Sequence, residues 1–382
     1  MKNVSANGYR LVATRDALEQ AAEELARARR IAVDLEADSM FHFQEKVCLL
    51  QMASPQATYV VDPLELGDLD PIKPLMADAR IGKVFHGADY DIRSLYRDFG
   101  IRIRNLFDTE LASRFLGIRE SGLEAVLKSR FDVRLDKKFQ RKDWSRRPLP
   151  GEMMDYAAGD VAHLLPLARE IQQELKAKRR LGWVQEECEI LSGVRPPEDN
   201  AAPLFLSFRG AGRLKPGQLA VLEALLQLRR RLAKERDRPL FKVFSNKSML
   251  ALALAAPTTP RQIEAVGALS KRQLSMHGPA LLNAVKKASS LSPKQRPVYP
   301  RKRSPRLPAG VPERVTALKT WRDRKALALD LDPGLVLNKT LIQAIAVAKP
   351  RNPKDLAAIA DIRRWRCKAF GSELVNLMKT LR

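Results

Sequence analysis

The sequence predicts an α/β domain, a mixed sheet flanked by helices, followed by two all-helical domains. Three observations carry that prediction. From Leu11 to Phe107, short apolar runs rich in β-branched residues alternate with amphipathic helical stretches. From Pro216 onward the apolar spacing is helical throughout. The helical block then occurs twice. Val336-Leu337-Asn338-Lys339-Thr340 echoes Phe244-Ser245-Asn246-Lys247-Ser248, Pro350 and Pro353 echo Pro257 and Pro260, and Phe370-Gly371 echoes His277-Gly278. The offset is 92 at Asn338 and 93 at Gly371, so matched helix-breakers mark two copies of one domain.

Taken in order, the apolar piece Leu11-Val12-Ala13 precedes Thr14, which reads as the N-cap of a helix with Leu18, Ala21, Ala22 and Leu25 on its buried face. Ile31 to Asp38 reads as a core strand that ends in acids. Val47 to Met52 and Thr58 to Val61, separated by the turn signal Ser54-Pro55, complete an antiparallel meander at this end of the sheet. Leu64 to Met76 reads as helix and Lys83 to His86 as a fourth strand. Ile92, Leu95, Tyr96 and Phe99 define a helix that Gly100 ends. A fifth strand near Arg104 to Phe107 leads into helices over 110–116 and 123–131. Leu135 to Pro150 is a basic loop, Glu152 to Leu165 favours helix except at Gly159, and 169–190 continues as a charged helix. In the helical half, helices are expected over 218–235 and 249–256, then one begun by Pro257 and Pro260, then a last one over 280–287 behind His277-Gly278. Residues 291–312 are rich in Pro, Arg and Lys without apolar period and read as a flexible basic linker.

The net charge of +24 is unevenly placed. Residues 1–192 hold 30 Lys and Arg against 31 Asp and Glu, whereas residues 193–382 hold 38 against 13. A basic back half on a balanced, acid-containing front suggests that the back holds a polyanion on which the front acts. Nothing in the chain reaches about 18 uncharged apolar residues in a row, and the N-terminus lacks an apolar signal core, so no membrane span or export is expected. Three scattered cysteines, Cys48, Cys188 and Cys367, argue against a disulfide framework or a zinc site and fit a reducing, cytoplasmic setting.

The chemistry concentrates in acids. Asp34 and Glu36 lie two apart on a strand and therefore share a face. Two adjacent carboxylates repel unless a cation sits between them, and a hard divalent ion is the usual one. From these residues alone, a solvated strand end stays equally open. Asp89 and Asp91 both fall in the first turn of a helix, where one of them serves as an ordinary cap. Tyr156 and Asp160, four apart, share one helix face. The basic loop mixes Lys137, Arg141 and Lys142 with Trp144, as nucleic-acid channels mix cations with aromatics, although Trp144 also reads as a packing anchor.

Together these motifs resemble those of a known family. Val33-Asp34-Leu35-Glu36, His86 to Asp91 and Tyr156-Ala157-Ala158-Gly159-Asp160 are similar to the three signature motifs of the DEDD 3′-to-5′ exonucleases, with tyrosine in the third marking the DEDDy branch. Lys142-Asp143-Trp144 and Arg147-Pro148-Leu149 resemble the ribonuclease D family, and the two helical copies resemble HRDC domains. The resemblance implies an RNase H-like exonuclease domain over 8–192, a linker over 193–212, HRDC domains over 213–290 and 313–382, and the basic linker over 291–312 between them. It implies that Asp34, Glu36, Asp91 and Asp160 bind two divalent ions, Mg²⁺ or Mn²⁺, with Tyr156 completing the catalytic set. Lys137, Arg141, Lys142 and Trp144 are the expected substrate contacts. The expected reaction is 3′-to-5′ hydrolysis of RNA, with tRNA precursors and other structured RNA 3′ ends as substrates and nucleoside 5′-monophosphates as products. The two HRDC domains are expected to grip the folded RNA body.

Other chemistries are less well supported. His42, His86, His163 and His277 form no ligand spacing, and no Walker loop is present, so a nucleotide cofactor and a helicase motor are not expected. A monomer is expected. The competing readings are a DEDDy exonuclease acting on DNA and a catalytically idle RNA-binding protein.

Overall fold

Six strands form one mixed sheet: β1 (Tyr9–Val12), β2 (Arg30–Ala37), β3 (Val47–Ala53), β4 (Thr58–Val61), β5 (Gly82–Phe85) and β6 (Leu106–Asp108). Their order is β1-β4-β3-β2-β5-β6. β2, β3 and β4 are the expected antiparallel meander, but β1 joins β4 in parallel from outside, so the meander is internal to the sheet. β5 and β6 extend the other side in parallel. The computed structural model describes residues 8–135, 137–197, 202–300 and 308–381.

Strand alternation divides the sheet into two faces. Val33, Leu35, Leu50 and Met52 enter the larger core. Leu49, Val60 and Tyr9 enter a smaller one, roofed by Met153, Met154, Ala157 and Ala158 of the helix Gly151–Ala162 and filled by Trp144. Asp34 pairs with Gln51 and Glu36 with Leu49, which assigns both acids to the side of the smaller core.

Several helices differ from expectation for identifiable reasons. The stretch after Pro63 is three short pieces, Pro63–Leu66, Asp70–Ile72 and Lys73–Ala77, because Gly67 takes φ +78° and Pro71 cannot continue a helix. Helix Gly151–Ala162 stops at His163 and a new helix, Leu164–Ala177, follows, with Leu181–Ser192 beyond it. The helix expected over 280–287 starts much earlier, at Lys271, and runs to Ser289 through Gly278 and Pro279. Its true start is the capping box of Ser270 and Gln273, a stronger signal than the glycine. In the second copy Gly371 likewise lies within Arg364–Thr380.

The chain divides into two compact units, and the division is not sequential. One unit joins the α/β domain to the second helical copy, residues 305–382. The shared core includes Trp321, Ile345, Trp365 and Phe370 beside Phe115, Val184 and Cys188. Trp183 stacks on Trp365 with ring centroids 4.5 Å apart. Glu186 accepts the backbone N–H groups of Arg364 (2.7 Å) and Trp365 (2.9 Å), capping the last helix. Glu187 accepts Trp365 Nε1 (2.9 Å) and Arg366 Nη1 (2.6 Å).

The other unit joins the first helical copy to residues 38–46, the connection between β2 and β3. His42 Nδ1 lies 2.7 Å from Asp237 Oδ2, the Phe43 amide donates to Asp237 Oδ1, and Lys242 sits over the Phe41 ring. Of the linker expected over 291–312, residues 301–307 lie outside the described residues. Before them, Leu291 and Tyr299 pack on the unit's core, and Tyr299 donates to Leu206 O. Residues 198–201 of the linker expected over 193–212 are also outside the description.

The repeat is regular in three dimensions. Helices starting at Leu240, Asn246, Pro260 and Lys271 have counterparts at Pro333, Lys339, Pro353 and Arg364, each 93 positions later. Ser245 and Asn338 are the equivalent N-caps, so Asn338 matches a serine and the offset of 92 at Asn246 disappears.

Candidate active site

The carboxylates meet because three different elements end near one another. β2 carries Asp34 and Glu36, and the helix Asp89–Phe99 carries Asp91 in its first turn. Helix Gly151–Ala162 lies across the sheet with Tyr156 and Asp160 on one face. A cavity of about 440 Å³ is lined by Asp34, Glu36, Tyr156 and Asp160, together with His86, Glu124, Lys137 and Gln140.

Asp91 does not line that cavity, yet its charge acts on Glu36 and the Asp34 charge acts on it. It is 7% exposed, whereas Asp89 faces solvent and holds Arg93 at 2.7 Å. The first turn of this helix therefore sends one acid inward and leaves the other as a surface partner. Gly87 shapes the entry to the turn at φ +77°, where a Cβ would come within 2.8 Å of Glu110 Oε2.

Electrostatically the cluster is unfavourable as it stands. Burial, then Asp160, raises Asp34 to about 8. Burial, then Asp34, Asp160 and Asp91, raises Glu36 to about 9. Burial raises Asp160 to about 7 against the Tyr156 hydroxyl, whose hydrogen bond favours the ionised form. Asp91 is pushed well up by burial, Asp34 and Asp108. Burial and the Asp160, Glu36 and Asp34 charges push the Tyr156 phenol above its ordinary value. Such mutual opposition is relieved by cations, and an all-oxygen donor set suits a hard divalent ion. Among the described residues no group of three or more His, Cys, Asp or Glu side chains is arranged to hold a metal ion as it stands. The chemistry of the donors fits such an ion.

Of the expected substrate contacts, Lys137 lines the cavity and is ion-paired with Glu124. Arg141 and Lys142 are exposed on the loop and do not line it. Trp144 must be corrected. It is fully buried, among Leu49, Val60, Met153 and Met154, and has no face to offer a base. A large aromatic between cations in sequence is compatible with either role, and here the apolar pocket under the loop took it. Its ring lies 6.0 Å from that of Tyr156, and Phe139 meets Tyr156 edge-on at the same separation. Trp144 thus supports Tyr156 from behind.

Some contributors carried no sequence signal strong enough to single them out. Asp108 reads as an ordinary cap and does accept Glu110 and Leu111 amides. It also accepts Gly87 N and Ala88 N, both at 2.9 Å, and so fixes the turn that leads to Asp91. His86 holds Thr109 Oγ1 through Nδ1 at 2.9 Å, and burial lowers its imidazole against the Asp108 charge and the Ser121 backbone.

Comparison with known proteins gives this geometry a family. Residues 9–176 match the family described as 3′-5′ exonuclease, and residues 218–285 and 312–378 each match the HRDC domain. Ribonuclease D of Nitrobacter hamburgensis is 29% identical over 371 residues, covering 96% of this chain and 94% of that protein. Escherichia coli RNase D, described as an exoribonuclease involved in structured RNA processing, superposes with a TM-score of 0.73 at 26% identity, covering 97% of this chain and 99% of that one. The catalytic core of RRP6 from Trypanosoma brucei superposes with a TM-score of 0.64 at 30% identity, covering 74% of this chain and 80% of that one. The chain belongs to the ribonuclease D family of metal-dependent 3′–5′ exoribonucleases, with an exonuclease domain followed by two HRDC domains.

Proposed function

We propose that this protein trims the 3′ ends of tRNA precursors and other structured RNA, releasing nucleoside 5′-monophosphates. One observation carries the reading: acids from three separate stretches, with Tyr156 beside them, oppose one another's ionisation in and around a single cavity. Asp34, Glu36, Asp91 and Asp160 would hold two divalent ions, Mg²⁺ or Mn²⁺. When bound, such ions lower the pKa of a water and stabilise charge on the leaving oxygen.

The chain's own groups do the rest. Tyr156 keeps its proton on Oη at neutral pH, because burial and the neighbouring carboxylates hold its pKa up. That proton is engaged with Asp160, and Tyr156 would orient the attacking water or help to deprotonate it once cations neutralise the carboxylates. Lys137, at the cavity wall, offers a cation to the RNA backbone. Arg141 and Lys142, exposed on the loop, would meet the RNA outside the cavity. No helix among the described residues is long and apolar enough to cross a membrane. Cys48, Cys188 and Cys367, scattered along a chain we take to be monomeric, suit a reducing cytoplasm.

The test is Asp34→Asn, assayed on single-stranded RNA and DNA of equal length beside the unchanged protein. The unchanged protein is expected to shorten RNA from its 3′ end and to prefer it to DNA; Asp34→Asn is expected to abolish cleavage and spare RNA binding. Cleavage that survives the substitution sinks the site, and a preference for DNA sinks the substrate.

A further inference from the structure

Gln51 lies on β3 directly opposite Asp34 on β2. Its side chain is wholly buried, and neither amide atom has a hydrogen-bond partner. A primary amide offers two donors and an acceptor, so burying it with all of them unmade costs far more than burying an apolar side chain of equal size. Asp34 shows the complementary deficit. It takes a backbone N–H from Leu35, while its nearest charged influence is another acid, Asp160. Directly opposed residues of an antiparallel pair share a face and hold their Cβ atoms about 5 Å apart. Although the structure leaves the Gln51 amide without a partner, a change of side-chain rotamer can join an amide and a carboxylate so opposed.

We propose that Gln51 is a positioning residue of the acidic cavity, its Nε2–H donating to the Asp34 carboxylate and fixing which oxygen that acid presents to a divalent ion. The proposal rests on the reading of Asp34 as a metal ligand given above. Groups that hydrogen-bond a ligating carboxylate set its orientation, and removing them weakens metal binding. This role also explains an otherwise costly choice at the centre of the sheet, where every other residue of β3 except Gln51 is apolar.

The substitution Gln51→Met keeps the volume and removes the unpaired polar atoms. It is expected to raise the melting temperature of the metal-free protein and to weaken Mg²⁺ binding by calorimetry about tenfold. Unchanged Mg²⁺ affinity, or a lowered melting temperature with unchanged affinity, overturns the proposal. A second measurement needs no variant: the side-chain NH₂ resonances of Gln51 in ¹⁵N-labelled protein are expected to move on adding Mg²⁺, and static resonances overturn it too. Asp34→Asn separates the two levels of inference. Should Asp34→Asn bind Mg²⁺ as the unchanged protein does, the reading of the acids themselves fails. Should it lose Mg²⁺ while Gln51→Met does not, only the role of Gln51 fails.

Discussion

The Arg147 guanidinium grips the Asp62 carboxylate with two hydrogen bonds, Nε to Oδ2 at 2.6 Å and Nη2 to Oδ1 at 2.7 Å. The same side chain donates to Cys48 O and Trp144 O, each at 2.8 Å. Arg147 thus ties the basic loop to β3 and to the end of β4, and through Trp144 it backs the Tyr156 ring. Lysine keeps the charge but cannot make the forked contact. Arg147→Lys is expected to lower kcat about tenfold with KM little changed, since small misplacement of a reacting group is costly. In a Tyr156→Phe background the same substitution is expected to cost nothing further. An additive loss would show that Arg147 does not act through Tyr156.

Asp108 makes a second prediction. Its carboxylate accepts four backbone N–H groups, two that open the helix Thr109–Leu116 and two from Gly87 and Ala88. Asp108→Ala loses a helix cap and leaves two N–H groups of the preceding turn without a partner. The combined cost is about 3 kcal/mol. Asp108→Asn, which retains one accepting oxygen, is expected to lose less than half of that in denaturant melts. Equal losses for the two variants would mean that the retained oxygen contributes nothing and that these hydrogen bonds do not hold the turn.

The acids were legible because strand and helix periodicities fix shared faces: Asp34 with Glu36, and Tyr156 with Asp160. Placing the three stretches around one cavity took the resemblance, since periodicity says nothing of what lies across a sheet. Asp89 against Asp91 shows the same limit. Both suit a helix N-terminus, and only packing decides which turns inward. Charge counting has a different limit. Arg314 and Arg366 belong to the basic half, but both are buried and donate to backbone carbonyls, of Ala346 and of Leu335 and Val336. A tally of cations cannot separate such internal braces from residues free to meet a phosphate. Trp144 was misread for a related reason, because composition does not reveal which side of a loop faces the core.

The second HRDC copy is therefore expected to act as part of the catalytic domain's scaffold, not as a detachable grip. Trp183 stacks on Trp365, Glu186 caps the last helix, and Arg180 bridges Phe115 O (2.8 Å) and Leu329 O (2.6 Å). At Gly117, with φ +95°, an added Cβ would land on the Asp330 carbonyl oxygen. Removing residues 305–382 would cut through this core. Trp365→Ala is expected to destabilise the exonuclease domain by about 4 kcal/mol, the usual range for emptying a buried tryptophan site. Gly117→Ala is expected to do so through clash and backbone strain. Melts of each variant that match the unchanged protein would refute the shared core.

The last prediction concerns pH in the absence of metal. Asp34, Glu36 and Asp160 titrate near 8, 9 and 7 in the fold, against about 4 in an unfolded chain. A folded pKa above the unfolded one means that the native state binds the extra protons between those values. Stability from these groups is then fully present below about pH 4 and is lost as pH rises through 7 to 9. In chelator, the melting temperature is expected to fall steadily from pH 5 to pH 9. The ionised acids are also the form that binds a divalent ion, so the rise in melting temperature on adding Mg²⁺ is expected to grow over the same interval. Asp34→Asn with Asp160→Asn removes two of the titrating groups and is expected to flatten the decline in chelator and to remove most of the Mg²⁺ effect. A melting temperature in chelator that is level from pH 5 to pH 9 would mean that these carboxylates are not forced to hold protons in the fold.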